Sequence, residues 1–210
     1  MEKNVNNYSK EIFRKILHTI AYIGICLWPY AMDDCIKSVG TTVIGIIVLV
    51  PILYLLSRVP GFSSFFYARK QGEYASSFAS IAIAYCIVAT VCWGILEEKY
   101  LCIVSFLAWG PGDAVAALVG QRYGKHKIGK DKKKSLEGSL VMFATSFISV
   151  LISMLILSDY GVLPIIIIAL IVGSITAQIE LKSHKGMDTI FCPVGAMGAL
   201  VVFTLLFRLV

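Results

Sequence analysis

The stretch of this sequence best equipped for chemistry is an aspartate inside an apolar segment, followed by a lysine-rich loop. From Trp109 to Gly138 the chain reads WGPGDAVAALVGQRYGKHKIGKDKKKSLEG. An ionisable group such as Asp113 is costly in an apolar segment, so a functional role is the first hypothesis. The preceding Gly-Pro-Gly predicts a helix break, because proline removes a backbone donor and glycine adds flexibility. Asp113 could bind a cation together with phosphate oxygens, or it could pair with an Arg or Lys side chain for packing.

The loop after Gly120 combines a glycine-permitted backbone, cations and hydroxyl groups. A P-loop requires G-x-x-x-x-G-K-[ST], whereas three residues separate Gly120 from Gly124 here and a histidine follows Lys125. The segment is therefore no P-loop, but its cations and backbone amides suit a triphosphate. The candidate nucleotide-binding residues are Arg122, Gly124, Lys125, Lys133, Lys134, Ser135, Glu137, Gly138 and Ser139.

A polybasic loop beside a membrane has a simpler interpretation, which is topology or attraction to anionic lipid headgroups. We assign the lysines from Lys127 to Lys132 to that role. Attraction alone does not require the Ser-Leu-Glu-Gly-Ser sequence that ends the loop. That sequence favours a more specific function.

A second group of ionisable residues lies at the start of the first apolar segment. Arg14, Lys15 and His18 are spaced so that they can share one side of a helix. The cations could anchor the helix at the headgroups without any other function. Their functional interpretation depends on matching groups in other loops.

Two acids near the C-terminus complete the set. Glu180 and Asp188 are predicted to lie at the same membrane face as Asp113. Mg²⁺ binds oxygen ligands, often one or two carboxylates with water and substrate phosphates. The candidate metal ligands are therefore Asp113, Asp188 and Glu180, although a carboxylate in a short loop can also serve as a helix cap.

Seven apolar segments must position these residues. The chain has 210 residues, of which 58% are hydrophobic, so it is too apolar for a soluble domain of this size. Each segment has a length suited to a spanning helix, and a helix satisfies its own backbone in lipid. We expect an all-α polytopic integral membrane protein, with residues 1–210 in one catalytic bundle and a basic loop at about 121–138. The predicted spans are residues 16–32, 39–57, 76–96, 100–120, 139–158, 162–181 and 190–208.

Lys and Arg are distributed unevenly between the two faces of this bundle. Of the 19 Lys and Arg residues, all except Lys37, Lys99 and Arg208 lie at the N-terminus or in the second, fourth and sixth predicted loops. The positive-inside rule therefore predicts a cytoplasmic N-terminus. The same placement accounts for the net charge of +6, so nucleic acid is not expected as a partner. The six cysteines contain no C-x-x-C pair and are expected to be reduced.

The order and spacing of the motifs resemble those of the CTP-dependent polyprenol and lipid kinases, a family that includes phytol kinase, dolichol kinase and yeast-type diacylglycerol kinase. The resemblance runs from Arg14 to Pro193. The matching motifs are R-K-x-x-H at 14–18, G-D-A-x-A at 112–116, G-x-x-x-G-K at 120–125, K-K-S-x-E-G-S at 133–139, and the late Glu180, Asp188 and Pro193. One departure is Thr189, where relatives often have asparagine; threonine keeps an oxygen but lacks the amide.

The resemblance implies transfer of the terminal phosphoryl group of CTP, or of UTP or ATP, to the hydroxyl of a membrane lipid alcohol. It implies that Asp113 and Asp188 bind Mg²⁺ or orient that hydroxyl, with support from Glu180. The triphosphate would be held by Arg122, Lys125, Lys133, Lys134 and the backbone of residues 135–139. Arg14, Lys15 and His18 would neutralise charge or hold the substrate, and an apolar groove between helices would take the lipid tail.

The sequence leaves three other functions open. The related CDP-diacylglycerol synthases transfer a cytidylyl group, but their G-H-G-G and D-R-x-D patterns are absent from this sequence. A small ion or solute transporter could place Asp113 on an ion path. A non-catalytic protein could use the basic loop to bind anionic lipid headgroups. We expect a prokaryotic plasma membrane with a cytoplasmic active site, and a homo-oligomer is compatible with the sequence.

Overall fold

The computed structural model describes residues 2–59, 61–62, 71–128, 134–183 and 186–208, with the backbone alone for residues 2–9. In these ranges the secondary structure is helical except for one pair of two-residue strands in the basic loop. The elements are α1 (Glu2–Ala31), α2 (Cys35–Leu56), α3 (Glu73–Ala89) continuing into a π-helix (Thr90–Ile95), α4 (Lys99–Leu107), α5 (Gly110–Tyr123), β1 (Lys127–Ile128), β2 (Lys134–Ser135), α6 (Leu136–Leu157), α7 (Val162–Lys182) and α8 (Asp188–Arg208).

Six helical segments in the described ranges are long and apolar enough to cross a membrane. They are α2, α3 with its π-helix, α4 with α5, α6, α7 and α8. Helix α1 is not among the six; it carries Arg14, Lys15 and His18, and the predicted span at 16–32 forms its C-terminal half. With α4 and α5 counted as one broken helix, these ranges contain seven helical segments. The chain is an all-α polytopic membrane protein, as predicted.

Helix α4 forms the centre of the bundle. Every residue from Leu101 to Phe106 is buried, and α4 contacts α1, α3, α6 and α8. Helix α2 lies at the periphery, mainly against α3, and exposes apolar side chains such as Ile44 and Ile47. All six cysteines are free. An apolar outer surface over a fully packed centre is the arrangement that a lipid environment allows.

The fourth predicted span is broken between Leu107 and Gly110, where the sequence predicts a break. Pro111 lies in the first turn of α5, where a helix does not need its amide donor. The carbonyl of Ala108 accepts a hydrogen bond from the hydroxyl of Ser146 on α6, and Thr176 of α7 donates to that hydroxyl over 2.9 Å. These hydroxyls satisfy a backbone group that the break releases, and they fix the start of α5, where Asp113 lies.

The connection between α5 and α6 lies within the predicted range of about 121–138. Helix α5 continues to Tyr123 and α6 begins at Leu136. Between them, β1 and β2 pair antiparallel, with Lys127 opposite Ser135 and Ile128 opposite Lys134. This pairing returns the chain to the start of α6, and the sequence did not predict it because two-residue strands have no periodicity to detect.

Candidate active site

The ionisable candidates converge at one end of the bundle, which we call the site end. It consists of the N-terminal half of α1, the whole of α5, the starts of α3, α6 and α8, the end of α7, and the β1–β2 loop. Among the described residues, ion pairs of Lys or Arg with an acid join these elements across the fold. They are Lys15 Nζ to Asp113 Oδ2 at 2.7 Å, Lys134 Nζ to Glu180 Oε1 at 2.7 Å, and Arg14 Nη1 to Glu73 Oε1 at 3.5 Å.

The Lys15–Asp113 pair connects α1 to the first turn of α5. The side chains are 11% and 16% exposed, so both charges are held largely away from solvent. The charge of Arg14 also acts on the Asp113 carboxylate, and the His18 ring lies near it. The ion pair that sequence reasoning offered as an alternative is therefore present, but its partner is another candidate site residue. Desolvated charge of this kind carries a free-energy cost that packing alone does not require.

Arg14 is buried, at 6% exposure, and joins α1 to α3. Its guanidinium is hydrogen-bonded to Glu11, one turn earlier, and is paired with Glu73 at the start of α3. Both acids are mostly buried. Arg14 is thus held beside Lys15 by two acids. The sequence places one of them, Glu73, only in a weak charged group with Arg69 and Lys70, outside the predicted site residues.

Asp188 is the first residue of α8 and faces the same region. It is close enough to Asp113, Lys15, Lys134 and Glu180 for their charges to act on its carboxyl group. Thr189, at the position where relatives often have asparagine, is buried. The structure therefore brings the three predicted carboxylates and two of the predicted lysines into one electrostatic cluster.

A magnesium site formed by protein ligands alone is not present among the residues that the structure describes. No group of three or more His, Cys, Asp or Glu side chains there is arranged to hold a metal ion. Magnesium usually keeps several waters and takes one or two carboxylates plus substrate phosphates. Asp113 and Asp188 match that smaller requirement, and Mg²⁺ binding stays a prediction.

The Ser-Leu-Glu-Gly-Ser sequence begins α6 and fixes the basic loop. The Ser135 hydroxyl caps α6 by accepting a hydrogen bond from the Gly138 amide at 3.1 Å. The Glu137 carboxylate accepts bonds from the amides of Lys125 and His126, both at 3.2 Å, and from the His126 ring at 2.8 Å. Two motifs that are separate in the sequence thus form one unit, in which Glu137 positions the backbone at Lys125.

The glycines of this unit allow α5 and α6 to approach closely. A Cβ atom at Gly124 would lie 2.2 Å from the Gly120 carbonyl oxygen and 2.5 Å from Ser135 Oγ. A Cβ atom at Gly138 would lie 3.2 Å from the Ala116 carbonyl oxygen. Small residues commonly allow such backbone contact between membrane helices. Gly124 and Gly138 therefore have packing roles, whether or not they also contact a nucleotide.

The remaining nucleotide-binding candidates have different environments. Arg122 and Lys125 are exposed at the end of α5, and the Arg122 guanidinium lies 5.3 Å from the centroid of the Tyr123 ring. The Ser139 hydroxyl is buried without a hydrogen-bond partner in the described part of the chain. Lys133 lies outside the described residues.

No family model and no solved structure matches the chain. Over 194 residues it is 30% identical to the phytol kinase of Synechocystis sp., and the alignment covers 89% of this chain and 76% of that protein. The chain belongs to the phytol kinase family. Two chloroplast members match over 70 residues, which is 33% of this chain. A probable phytol kinase 2 of Glycine max is 37% identical over 24% of its length, and a probable phytol kinase of Zea mays is 38% identical over 23%.

Family membership identifies the protein as an integral membrane lipid kinase, which transfers a phosphoryl group to an alcohol acceptor. Sequence reasoning found the charged residues of the cluster but missed their supports. In the sequence, Glu73 is one acid in a short loop that also contains Arg69 and Lys70. The hydroxyls of Ser146 and Thr176 lie in apolar spans, where no motif marks them. Their position inside apolar spans was the signal that could have identified them, because a hydroxyl group in a membrane span usually has a hydrogen-bond partner on another helix.

Proposed function

We propose that this lipid kinase transfers the terminal phosphoryl group of CTP to the hydroxyl of a membrane lipid alcohol at the cytoplasmic face. Phytol is the first acceptor to test, because it is the acceptor named for the Synechocystis relative. The observation that carries the proposal is the cluster of Asp113, Asp188 and Glu180 with Lys15 and Lys134 at one end of the bundle. UTP and ATP are the alternative donors.

Phosphoryl transfer demands positioning and charge stabilisation more than covalent chemistry by the protein. The terminal P–O bond of the nucleotide breaks, a new P–O bond forms to the alcohol oxygen, and the hydroxyl proton is released. Lys15 and Arg14 supply positive charge beside Asp113, where negative charge on the transferred group can be balanced. We propose that Asp113 or Asp188 orients the hydroxyl. His18 lies one turn beyond Lys15 on α1 and would neutralise charge or hold the substrate.

Asp113 and Asp188 are the residues that we propose hold Mg²⁺, with Glu180 in support. When bound, the ion would neutralise phosphate charge. The two carboxylates already act on one another electrostatically, so a cation between them would relieve their repulsion. Lys15 pairs with Asp113 and Lys134 with Glu180, which keeps these carboxylates compensated by protein cations.

The nucleotide would lie between this cluster and the β1–β2 loop. Arg122 and Lys125 are exposed where they can contact phosphates, and the bonds from Glu137 to the Lys125 and His126 amides fix that part of the loop. Lys133, Lys134 and Ser139 complete the proposed phosphate-binding set. The other loop lysines would attract anionic headgroups.

The cytoplasmic orientation rests on the placement of Lys and Arg, of which 16 of 19 are predicted on the site side. We propose that the bundle is a single catalytic domain in a prokaryotic plasma membrane, and that a homo-oligomer is compatible with it. The described helices contact one another throughout, which supports one bundle.

The test is transfer of radiolabel from γ-labelled CTP to phytol by purified protein in detergent, with UTP and ATP compared. We expect labelled phytyl phosphate from the wild type and at least a hundredfold loss in Asp113→Asn. Asp33→Asn is the matched control, because Asp33 is 94% exposed at the other end of the bundle. The proposal fails if the wild type labels neither phytol, a polyprenol nor diacylglycerol with any nucleotide. Lipid labelling from CTP labelled in its cytidine would instead establish a cytidylyltransferase.

A further inference from the structure

The outer surface between α7 and α8 contains a groove that leads away from the carboxylate cluster. Near the site end, a cavity of about 610 Å³ is lined by Gln178, Lys182, Ser183 and Met187 together with apolar side chains. A second cavity of about 560 Å³ continues towards Leu163 and Phe207 and is lined entirely by apolar residues and glycine. Both cavities lie between α7 and α8 and share the lining residue Ile175, and we call the two together the α7–α8 groove.

The polar end of this groove adjoins the proposed site. Glu180 lies between lining residues Ile179 and Lys182 on α7, and Asp188 directly follows Met187 at the start of α8. Lys182 is exposed at this end. Neither carboxylate lines the cavity, but each directly follows a lining residue at the same end of its helix. An alcohol at this end of the groove would therefore have its oxygen in the neighbourhood of the cluster, and its phosphorylated product would have Lys182 nearby.

The dimensions and chemistry of the groove suit one long hydrocarbon chain. Helix α7 rises about 1.5 Å per residue, so Leu163 to Lys182 covers about 28 Å, close to the thickness of a membrane hydrocarbon core. Each cavity volume lies in the range of small-molecule sites. One polar end and an apolar remainder match an amphipathic single-chain alcohol.

Two glycines of α8 shape the groove differently. A Cβ atom at Gly195 would lie 2.3 Å from Ile179 Cδ1, so this glycine allows α7 and α8 to pack together. A Cβ atom at Gly198 would meet no atom within 4 Å, so this glycine leaves open space in the apolar part of the groove. A larger side chain at Gly198 would fill the groove without displacing protein atoms.

We propose that the α7–α8 groove binds the hydrocarbon tail of the acceptor alcohol, and that Gly198 leaves room for the distal part of a long chain. This inference rests on the proposed kinase function and adds where the acceptor lies. Gly198 is ten residues beyond Asp188 on α8, or about 15 Å along the helix. The phytyl chain reaches that level from the carboxylates, whereas the shorter isoprenoid alcohol geraniol does not.

The test compares Gly198→Leu with Gly24→Leu in nanodiscs, with phytol and geraniol as acceptors. Gly24 on α1 is the matched control, because it is also exposed, also has open space around its Cβ position, and lies outside the groove. We expect Gly198→Leu to lower kcat/KM for phytol by about tenfold and to leave kcat/KM for geraniol unchanged, since displaced methylenes lose their apolar contacts. Gly24→Leu should change neither value.

A second measurement does not depend on turnover. A phytol analogue with a photoreactive diazirine at the end of its tail should label α7 and α8 in wild type, with the label reduced in Gly198→Leu and retained in Gly24→Leu. Equal kinetics for both variants, or labelling mainly of α2, would overturn the groove assignment while leaving the kinase proposal intact. Labelling of the groove without phosphoryl transfer from any nucleotide would overturn the kinase proposal instead.

Discussion

The two ends of the bundle hold their charges in different ways. At the opposite end, in the α1–α2 connection, Lys37 pairs with Asp33 and Asp34 by side chains that are 64%, 94% and 47% exposed. At the site end, Lys15 and Asp113 are 11% and 16% exposed. Exposed pairs are screened by solvent and contribute little, whereas desolvated charges are costly to bury and costly to separate. The site end therefore keeps charge where stability alone would favour apolar residues.

The opposite end uses its polar groups to complete helix termini and connections. Asp34 caps α2 by accepting a hydrogen bond from the Lys37 amide at 2.7 Å, and this bond holds the pKa of the Asp34 carboxyl below its ordinary value. Arg208 at the end of α8 bonds to the Leu96 carbonyl at 3.0 Å and pairs with Glu98 at 2.7 Å. Lys99 donates to the Met32 carbonyl at 3.2 Å. Each of these charged side chains thus has a partner within the protein.

The largest difference in stability between the two ends is expected when a lysine is replaced by methionine. Lys15→Met leaves the Asp113 carboxylate without its nearest cation, and we expect a loss of about 3 kcal/mol in the free energy of unfolding, since breaking a buried pair costs 3–5 kcal/mol and Arg14 stays nearby. Lys37→Met should change stability by less than about 0.5 kcal/mol. Denaturation in mixed micelles measures both changes.

The double variant Lys15→Met with Asp113→Asn tests whether the loss in Lys15→Met comes from an unpaired buried carboxylate. Removing both charges should restore part of the stability lost in Lys15→Met, because no unpaired carboxylate is then buried. Phosphoryl transfer should stay at background in this double variant. Additive destabilisation would show that the two residues do not compensate one another in the folded state.

An intermediate difference in stability is expected between two glycine-to-alanine substitutions. Gly124→Ala places a Cβ atom 2.5 Å from Ser135 Oγ at the start of α6, so the α5–α6 contact must open, and we expect a loss of about 2 kcal/mol. Gly40→Ala on α2 meets no atom within 4 Å, and alanine is the better helix former, so stability should be equal or higher. Thermal unfolding of both variants in one detergent makes the comparison, and equal melting temperatures would contradict it.

Composition and hydropathy were enough to predict the helices, because membrane spans have a length and an apolar character that show in the sequence. The break before Asp113 was predictable from Gly110-Pro111-Gly112, since both residue types act locally. The early start of α1 at Glu2 and the two-residue pairing of β1 with β2 were not, because neither has an apolar period.

Site residues were predictable by type but not by pairing. Asp113 stood out because an acid in an apolar segment is rare, yet nothing in the sequence selected Lys15 as its partner 98 positions away. The role of Glu137 was also hidden: the sequence indicated a phosphate-binding motif, whereas the structure has Glu137 accepting hydrogen bonds from the Lys125 and His126 amides. Such contacts depend on how α5 and α6 pack, which is a tertiary property.

The smallest stability difference, and the one most specific to function, concerns two glutamates at opposite ends. Glu137→Gln weakens the charge-assisted bonds to the amides of Lys125 and His126, and we expect a small loss of stability. Because those bonds position the proposed phosphate-binding loop, KM for the nucleotide should rise about fivefold or more while KM for the alcohol stays unchanged.

Glu98→Gln at the opposite end loses its exposed pair with Arg208 and should leave both KM values unchanged, with a stability change below about 1 kcal/mol. Steady-state kinetics with each substrate varied in turn separates the two glutamates. A nucleotide KM that is unchanged in Glu137→Gln would mean that Glu137 serves only the folding of the α5–α6 connection. A rise in the alcohol KM alone would place the acceptor, rather than the nucleotide, against this loop.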